Sequence, residues 1–275
     1  METIRNLERL CLHTVTTKPW PIETAIEEYA RHGVRGISVW KEAVEGRDLS
    51  AIRRRISDAG LEGVSYVRGG FFAHLEEAKR LEALESNRRL IREAGELGLP
   101  LLVLVCGADT RQSLETSRAQ IVEALGTLAP DAAEAGVILG IEPLHPMYAD
   151  TRSAVNTLGQ ANDMIGAVGS PAVQAVVDVY HLWWDPFLDV EIARSGKASS
   201  LAAYHVCDWK SPTDDLLLDR GLMGEGCIPL KPIREAVEKA GFTGFIEVEI
   251  FSARYWEMDQ LKFLSKIIEA YKSAV

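Results

Sequence analysis

Eight times along these 275 residues, a short run of mostly apolar β-type residues gives way to a longer stretch with helical spacing. That alternation marks parallel α/β architecture, because parallel strands need a crossover between them. The β-type runs fall at 9–13, 34–40, 61–67, 100–106, 137–142, 173–178, 201–205 and 244–249. Helical patterns follow at 21–31, 49–59, 75–97, 114–135, 153–168, 189–194, 229–240 and 260–270. The fourth run is apolar throughout, as expected of a strand covered on both faces. Gly60, Gly136 and Gly241 each stop a helix just before the next strand begins. No linker or low-complexity stretch interrupts the series. Eight such pairs predict one α/β domain spanning 1–275, a single closed (β/α)8 TIM barrel, for which this length is typical.

The last four runs end alike. Glu142, Asp178, His205 and Glu249 each close a strand, spaced 36, 27 and 44 residues apart, a scale that suits one strand–helix unit per step. In a parallel barrel these four side chains meet on the carboxyl-end rim, where barrel active sites lie. Three carboxylates and an imidazole so gathered would bind one divalent cation, and the oxygen-rich set favours Mn2+, with Mg2+, Co2+ or Zn2+ as substitutes. Glu247 lies two residues before Glu249 and points to the same side of the strand, so either could be the ligand. Position nearer the strand end favours Glu249, leaving Glu247 to pair with an inward lysine or arginine.

Polar neighbours suit a polyol substrate. His181 follows Asp178 by three residues, and His145 stands in the same relation to Glu142. Asp208 lies just past His205, where it can orient a ligand or a substrate hydroxyl. A glycine-bearing loop at 219–226 offers Arg220 to a substrate oxygen. Tryptophans, among them Trp40 and Trp183, follow or end the strands and present flat faces to a sugar ring. His13, at the end of the first strand, completes the candidate substrate contacts.

Composition narrows the partners. A formal net charge of −10 disfavours nucleic acid, whose binders show a basic face. No stretch approaches the roughly 20 apolar residues of a spanning helix, so no membrane partner is expected. The segment 1–8 lacks the apolar core of a secretory signal. Cys11, Cys106, Cys207 and Cys227 are scattered with no Cys-x-x-Cys pair, as expected of free thiols in a reducing cytoplasm. Tryptophan-rich loops on one rim suit a homodimer.

The motifs Ile-Glu142-Pro-Leu, Val-Asp178-Val-Tyr-His181, Tyr-His205-Val-Cys-Asp208, Arg220-Gly-Leu-Met-Gly-Glu-Gly226 and Glu247-Val-Glu249-Ile-Phe carry a family signal. By them the chain resembles the xylose isomerase-like TIM barrel superfamily, in its sugar phosphate isomerase/epimerase group, over nearly its whole length. The resemblance implies that Glu142, Asp178, His205 and Glu249 hold the metal, often manganese, and that His181 and Arg220 contact substrate. It thereby selects Glu249 over Glu247. The chain departs from ketose 3-epimerases after Glu142, where His145, Pro146 and Tyr148 replace their Asn-Arg type sequence.

The expected chemistry is proton transfer beside a carbonyl of a ketose or related keto-polyol, through a metal-stabilised cis-enediolate, with Glu142 and Glu249 as the catalytic pair. Loss of a β-hydroxyl from the same enediolate would make the enzyme a dehydratase of a keto-inositol or 3-keto-sugar instead. Two rivals from other classes are a non-catalytic sugar-binding or partner subunit and an endonuclease-like metal hydrolase. The second would need more histidine and acidic ligands than six histidines readily supply.

Overall fold

In the computed structural model, which describes residues 6–275, the eight apolar runs are hydrogen-bonded strands. The sequence reading of residues 1–5 falls outside the described residues. The strands are β1 (Leu10–His13), β2 (Gly36–Trp40), β3 (Glu62–Gly70), β4 (Leu101–Val105), β5 (Ile138–Ile141), β6 (Val173–Asp178), β7 (Leu201–Val206) and β8 (Ile246–Val248). They pair in sequence order, all parallel, and β8 closes the barrel on β1. Eight principal helices lie outside: α1 (Ile22–Arg31), α2 (Leu49–Asp58), α3 (Glu77–Leu97), α4 (Leu114–Ala135), α5 (Leu158–Val168), α6 (Leu188–Lys197), α7 (Leu230–Lys239) and α8 (Gln260–Ala274).

The two-residue period of each strand decides what enters the barrel. Leu139, Ile141, Val177, Tyr204, Val206, Ile246 and Val248 belong to the large core between strands and helices. Their alternates Val67, Leu101, Val103, Val176 and Ala203 form a separate small cluster inside the barrel. Continuing that inner set toward the carboxyl ends reaches Asp178, His205, Glu247 and Glu249. An apolar plug therefore fills the lower barrel, and the polar site rests on it. Gly140 marks how tight the plug is: a Cβ there would lie 2.8 Å from side-chain carbons of both Leu101 and Val176.

Side-chain caps set several helix starts. Asp48 accepts the Ala51 N–H at 2.9 Å, Ser113 that of Thr116 at 3.0 Å and Asp259 that of Lys262 at 2.9 Å. One expectation needs correction here. The helical pattern at 153–168 becomes a helix only from Leu158, because the residues before it spend their hydrogen bonds elsewhere. Ala154 N–H donates to Gly107 O at 2.9 Å, and Val155 O accepts from Leu144 N–H at 2.9 Å. Thr157 is the cap, its hydroxyl accepting the Gln160 N–H at 3.2 Å. The third strand also runs past its expected end, through Gly70.

Candidate metal centre

Strand register places the four rim residues. Asp178, the last residue of β6, is the register partner of His205 on β7. Glu142 directly follows β5, its N–H on Leu104 O at 3.2 Å, and Glu249 directly follows β8, its N–H on Val206 O at 3.2 Å. Each of Glu142, Asp178, His205 and Glu249 is buried, and each offers a ligand atom within 4.8 Å of the others'. Donors on one shared ion, each about 2.0–2.2 Å from it, lie at most about 4.4 Å apart. In a tetrahedral set the same bond lengths put donors about 3.3–3.6 Å apart, so side-chain adjustment of about an ångström would gather the four onto one cation.

A second group, His13, His205 and Glu247, meets the same distance test. It sits one layer deeper, since Glu247 pairs in register with His205 and Cys11. Its hydrogen bonds are already committed. Glu247 Oε2 accepts from His13 Nε2 at 3.1 Å, Ser38 Oγ at 2.6 Å and Ser65 Oγ at 3.1 Å. The expected lysine or arginine partner of Glu247 is therefore replaced by imidazole and hydroxyls, which fit inside a barrel too narrow for a longer cation. Burial alone would raise the Glu247 carboxyl, but His205 and His13 outweigh it and hold it below the usual range.

His205 links the two layers. Its Nδ1 lies 3.0 Å from Glu142 Oε1, while its Nε2 faces Glu247 Oε2 at 3.7 Å and has no hydrogen-bond partner among the described residues. Burial would lower this imidazole, yet Glu247 and Glu142 together lift it to about 10. For Asp178 burial dominates over the pull of Arg220 and pushes the carboxyl up to about 7. Glu249 is driven the other way: against burial, His13 and Arg220 hold it well below the usual carboxylate range. A buried cluster with this many carboxylates and few cations has the donor set of a cation site.

The remaining expected contacts divide. Arg220 is buried beside the cluster, donating to Glu249 Oε2 at 2.9 Å and Asp178 Oδ2 at 3.3 Å. Its guanidinium lies between the rings of Tyr180 (4.4 Å) and Phe251 (5.0 Å). His181 stands beside it, Nε2 3.2 Å from Arg220 Nη2, and burial followed by the arginine's charge keeps the ring neutral. Trp40 reaches the cluster through its indole N–H, 3.3 Å from His13 Nδ1. His145, half-buried, donates its backbone N–H to His181 Nδ1 at 3.2 Å. Trp183 packs in an aromatic group with Trp209 at 5.8 Å, beyond the stacked Tyr180–Trp209 pair.

Two of the residues read as substrate contacts are engaged with the protein itself. His13 is fully buried and bridges carboxylates, Nε2 to Glu247 and Nδ1 to Glu249 Oε1 at 3.1 Å each, which leaves no face for substrate. Asp208 staples the loop that carries Arg220: its carboxylate accepts N–H groups from Trp209, Gly224 and Ile228 at 2.8–3.0 Å. Ser38, Ser65, Tyr180 and Phe251 escaped the sequence reading. Ser38 and Ser65 had a signal, being polar residues at inward-facing positions of otherwise apolar strands.

Comparison with known proteins bears on this arrangement. The family described as xylose isomerase-like TIM barrel matches residues 26–268. An inosose isomerase of Bacillus velezensis (strain DSM 23117 / BGSC 10A6 / LMG 26770 / FZB42) is 23% identical over 260 residues, covering 91% of each chain. The crystal structure of protein SMc04130 from Sinorhizobium meliloti 1021 superposes with a TM-score of 0.94 at 41% identity, covering 98% of this chain and 99% of that one. The IOLI protein, crystallised with a binding zinc atom, superposes with a TM-score of 0.82 at 20% identity, covering 95% of this chain and 96% of that one.

Proposed function

The chain belongs to the xylose isomerase-like TIM barrel family, and on that premise we propose that it is a metal-dependent isomerase or epimerase of a ketose or keto-polyol. The observation that carries the reading is the convergence of Glu142, Asp178, His205 and Glu249 within 4.8 Å of one another on the carboxyl-end rim. These four would hold one divalent cation, manganese by preference for the oxygen-rich set. Such an ion, when bound, supplies the positive charge that acidifies a C–H beside a carbonyl and stabilises the enediolate.

The chain's own residues do the rest. Glu142 and Glu249, from β5 and β8, would flank the substrate, so that one takes the proton and the other returns it. Return to the opposite face of the same carbon is epimerisation; return to the neighbouring carbon is isomerisation. Arg220 and His13 hold the Glu249 carboxylate in place through Oε2 and Oε1 respectively. Neutral His181, its Nδ1 accepting the His145 N–H, would meet a substrate hydroxyl beside the ion through Nε2 in place of Arg220 Nη2. Four free thiols, three of them buried, suit a reducing cytoplasmic setting. Among the described residues no helix is long and apolar enough to cross a membrane.

The test is exchange of carbon-bound hydrogen in deuterated water. Manganese-loaded protein is incubated with a panel of ketoses and keto-inositols, the latter chosen because a relative is named an inosose isomerase. Deuterium should enter a carbon next to the carbonyl of at least one of them. Exchange with product of unchanged composition supports isomerase or epimerase chemistry, whereas exchange with loss of water assigns a dehydratase. Sugar binding without exchange, at any metal load, would leave only a binding module.

Proton competition gives a second expected outcome. A cation must displace the proton that His205 holds up to about pH 10 and, below about pH 7, that of Asp178 as well. Apparent manganese affinity should therefore rise about tenfold per pH unit between 7 and 8.5, and more steeply from 6 to 7. Calorimetry in buffers of different ionisation enthalpy should show about one proton released per ion at pH 8. An affinity flat across pH 6–8.5 would contradict this ligand set.

A further inference from the structure

Two guanidinium groups near this site make no ion pair among the described residues, in a chain of net charge −10. Arg68 lies in the stretch of β3 beyond its expected end, half-buried. Among the described residues its side chain makes no hydrogen bond or ion pair, and its Nε is buried without a partner. Arg152, in the loop between β5 and α5, likewise has no ion pair among the described residues. Surface arginines such as Arg54 and Arg92 also lack an ion pair among the described residues; what sets these two apart is their half-buried place beside the metal centre, where the neighbouring Arg220 is tied to Glu249 and Asp178.

Both groups are placed near the metal centre by similar contacts. Arg68 lies over the Trp40 ring at 5.7 Å, and the Trp40 indole N–H touches His13. Arg152 lies over the Tyr148 ring at 5.2 Å, and Tyr148 meets His181 edge-on at 5.9 Å. Each cation thus rests on an aromatic ring that also contacts an imidazole at or beside the cluster, His13 or His181.

The backbone holds the two segments side by side. Gly107 N–H donates to Arg152 O at 2.8 Å, while Phe71 N–H donates to Val105 O at 2.8 Å. A Cβ on Gly107 would stand 2.9 Å from Phe71 Cα, so the Phe71 turn and the Arg152 loop both close on this glycine. Phe71 itself adopts φ +59, a left-handed conformation unusual for a non-glycine residue, and its ring lies 5.2 Å below the Arg68 guanidinium.

Leaving two like charges half-buried and unpaired is costly. Burial, then the proximity of Arg152, pushes Arg68 below the usual arginine range. The carboxylates of Glu42, Glu142 and Glu249 act on Arg68 only through space, none being within ion-pair distance. Deeper in, the four carboxylates would be balanced by a dication, Arg220 and a doubly hydrogen-bonded His13. The positive charge at the mouth would then be in excess. A guanidinium fork matches the geometry of a planar or tetrahedral oxyanion.

We propose that Arg68 and Arg152 form an oxyanion subsite that takes a carboxylate or phosphate carried by the substrate beyond its reacting carbons. The substrate class is then an acidic or phosphorylated keto-sugar or keto-polyol. This rests on the metal-centre reading for the word substrate, while the subsite itself can be tested without metal.

The experiment titrates metal-free and manganese-loaded protein with D-glucuronate, D-glucose 6-phosphate and uncharged D-glucose, by calorimetry or ligand-observed NMR. At least one charged sugar should bind tenfold or more tightly than glucose, and which of the two does so distinguishes carboxylate from phosphate. Arg68→Met and Arg152→Met should each weaken that binding about ten- to a hundredfold, and Arg68→Lys by less. Manganese affinity in these variants should stay within about twofold of the parent, which shows that the site is still folded. Charged sugars binding no more tightly than glucose, or an affinity unmoved by both methionine variants, would overturn the proposal. Failure to bind manganese would count against the metal centre alone, because the anion arm is read on metal-free protein.

Discussion

Glutamine in place of Glu142 is expected to lower kcat by about 10²- to 10⁴-fold, at manganese concentrations that keep the variant fully loaded. The glutamine keeps the shape of the side chain but can neither take nor return a proton. The fold should survive, because the one hydrogen bond that the Glu142 carboxylate makes among the described residues is to His205 Nδ1 at 3.0 Å. Glu249→Gln should lose turnover to a similar degree but with an added structural cost. Its carboxylate neutralises Arg220 and His13 at 2.9 and 3.1 Å, and an amide leaves both less compensated. Metal content by elemental analysis, melting temperature and hydrogen exchange at the substrate carbon separate the two effects. A fully metallated Glu142→Gln that turns over within tenfold of the parent would remove Glu142 from the acid–base pair.

Arg220→Met should give the largest loss of stability. This guanidinium is almost fully buried and contacts Asp178, Glu249 and two aromatic rings, so its removal leaves buried carboxylates without their cation. Breaking a buried pair from one side costs about 3–5 kcal/mol, which in a chain of this size is a fall in Tm on the order of 10 °C. The deficit should depend on conditions in a defined direction. Asp178 is already raised to about 7 in the parent, and losing Arg220 raises it further, so below pH 7 it is protonated and the penalty shrinks. Above pH 7 the parent's Asp178 ionises while the variant's resists ionisation, so the penalty grows with pH and is larger at pH 8 than at pH 6. Saturating manganese should narrow the gap at pH 8, since a dication replaces part of the missing charge. A variant equally stable with and without manganese at both pH values would contradict this electrostatic account.

Much of the barrel was legible because strand and helix periods alternate cleanly, and because the rim residues obey the same two-residue rule as the core beneath them. Asp178 follows Val176, His205 follows Ala203 and Glu249 follows Glu247, each on the inward face, so local pattern and tertiary convergence agree. Where tertiary partners overrule local pattern, the sequence misled. Residues 153–156 carry a helical spacing, but Gly107 and Leu144 claim their backbone groups. Glu247 looked in need of a long cation because an isolated strand cannot reveal how narrow the barrel interior is. Asp208 was judged by its nearness in sequence to His205 and His13 by its place at the end of the first strand, whereas their partners come from the Arg220 loop and from β8. Arg68 and Arg152 were invisible for a related reason: their place on aromatic rings beside His13 and His181 comes from tertiary packing alone.

The measurement closest to the central claim is an anomalous difference map from crystals soaked in manganese. One peak is expected, with oxygen atoms of Glu142, Asp178 and Glu249 and a ring nitrogen of His205 all about 2.0–2.3 Å from it. A peak held instead by His13, His205 and Glu247, or no peak in the barrel at all, would contradict it.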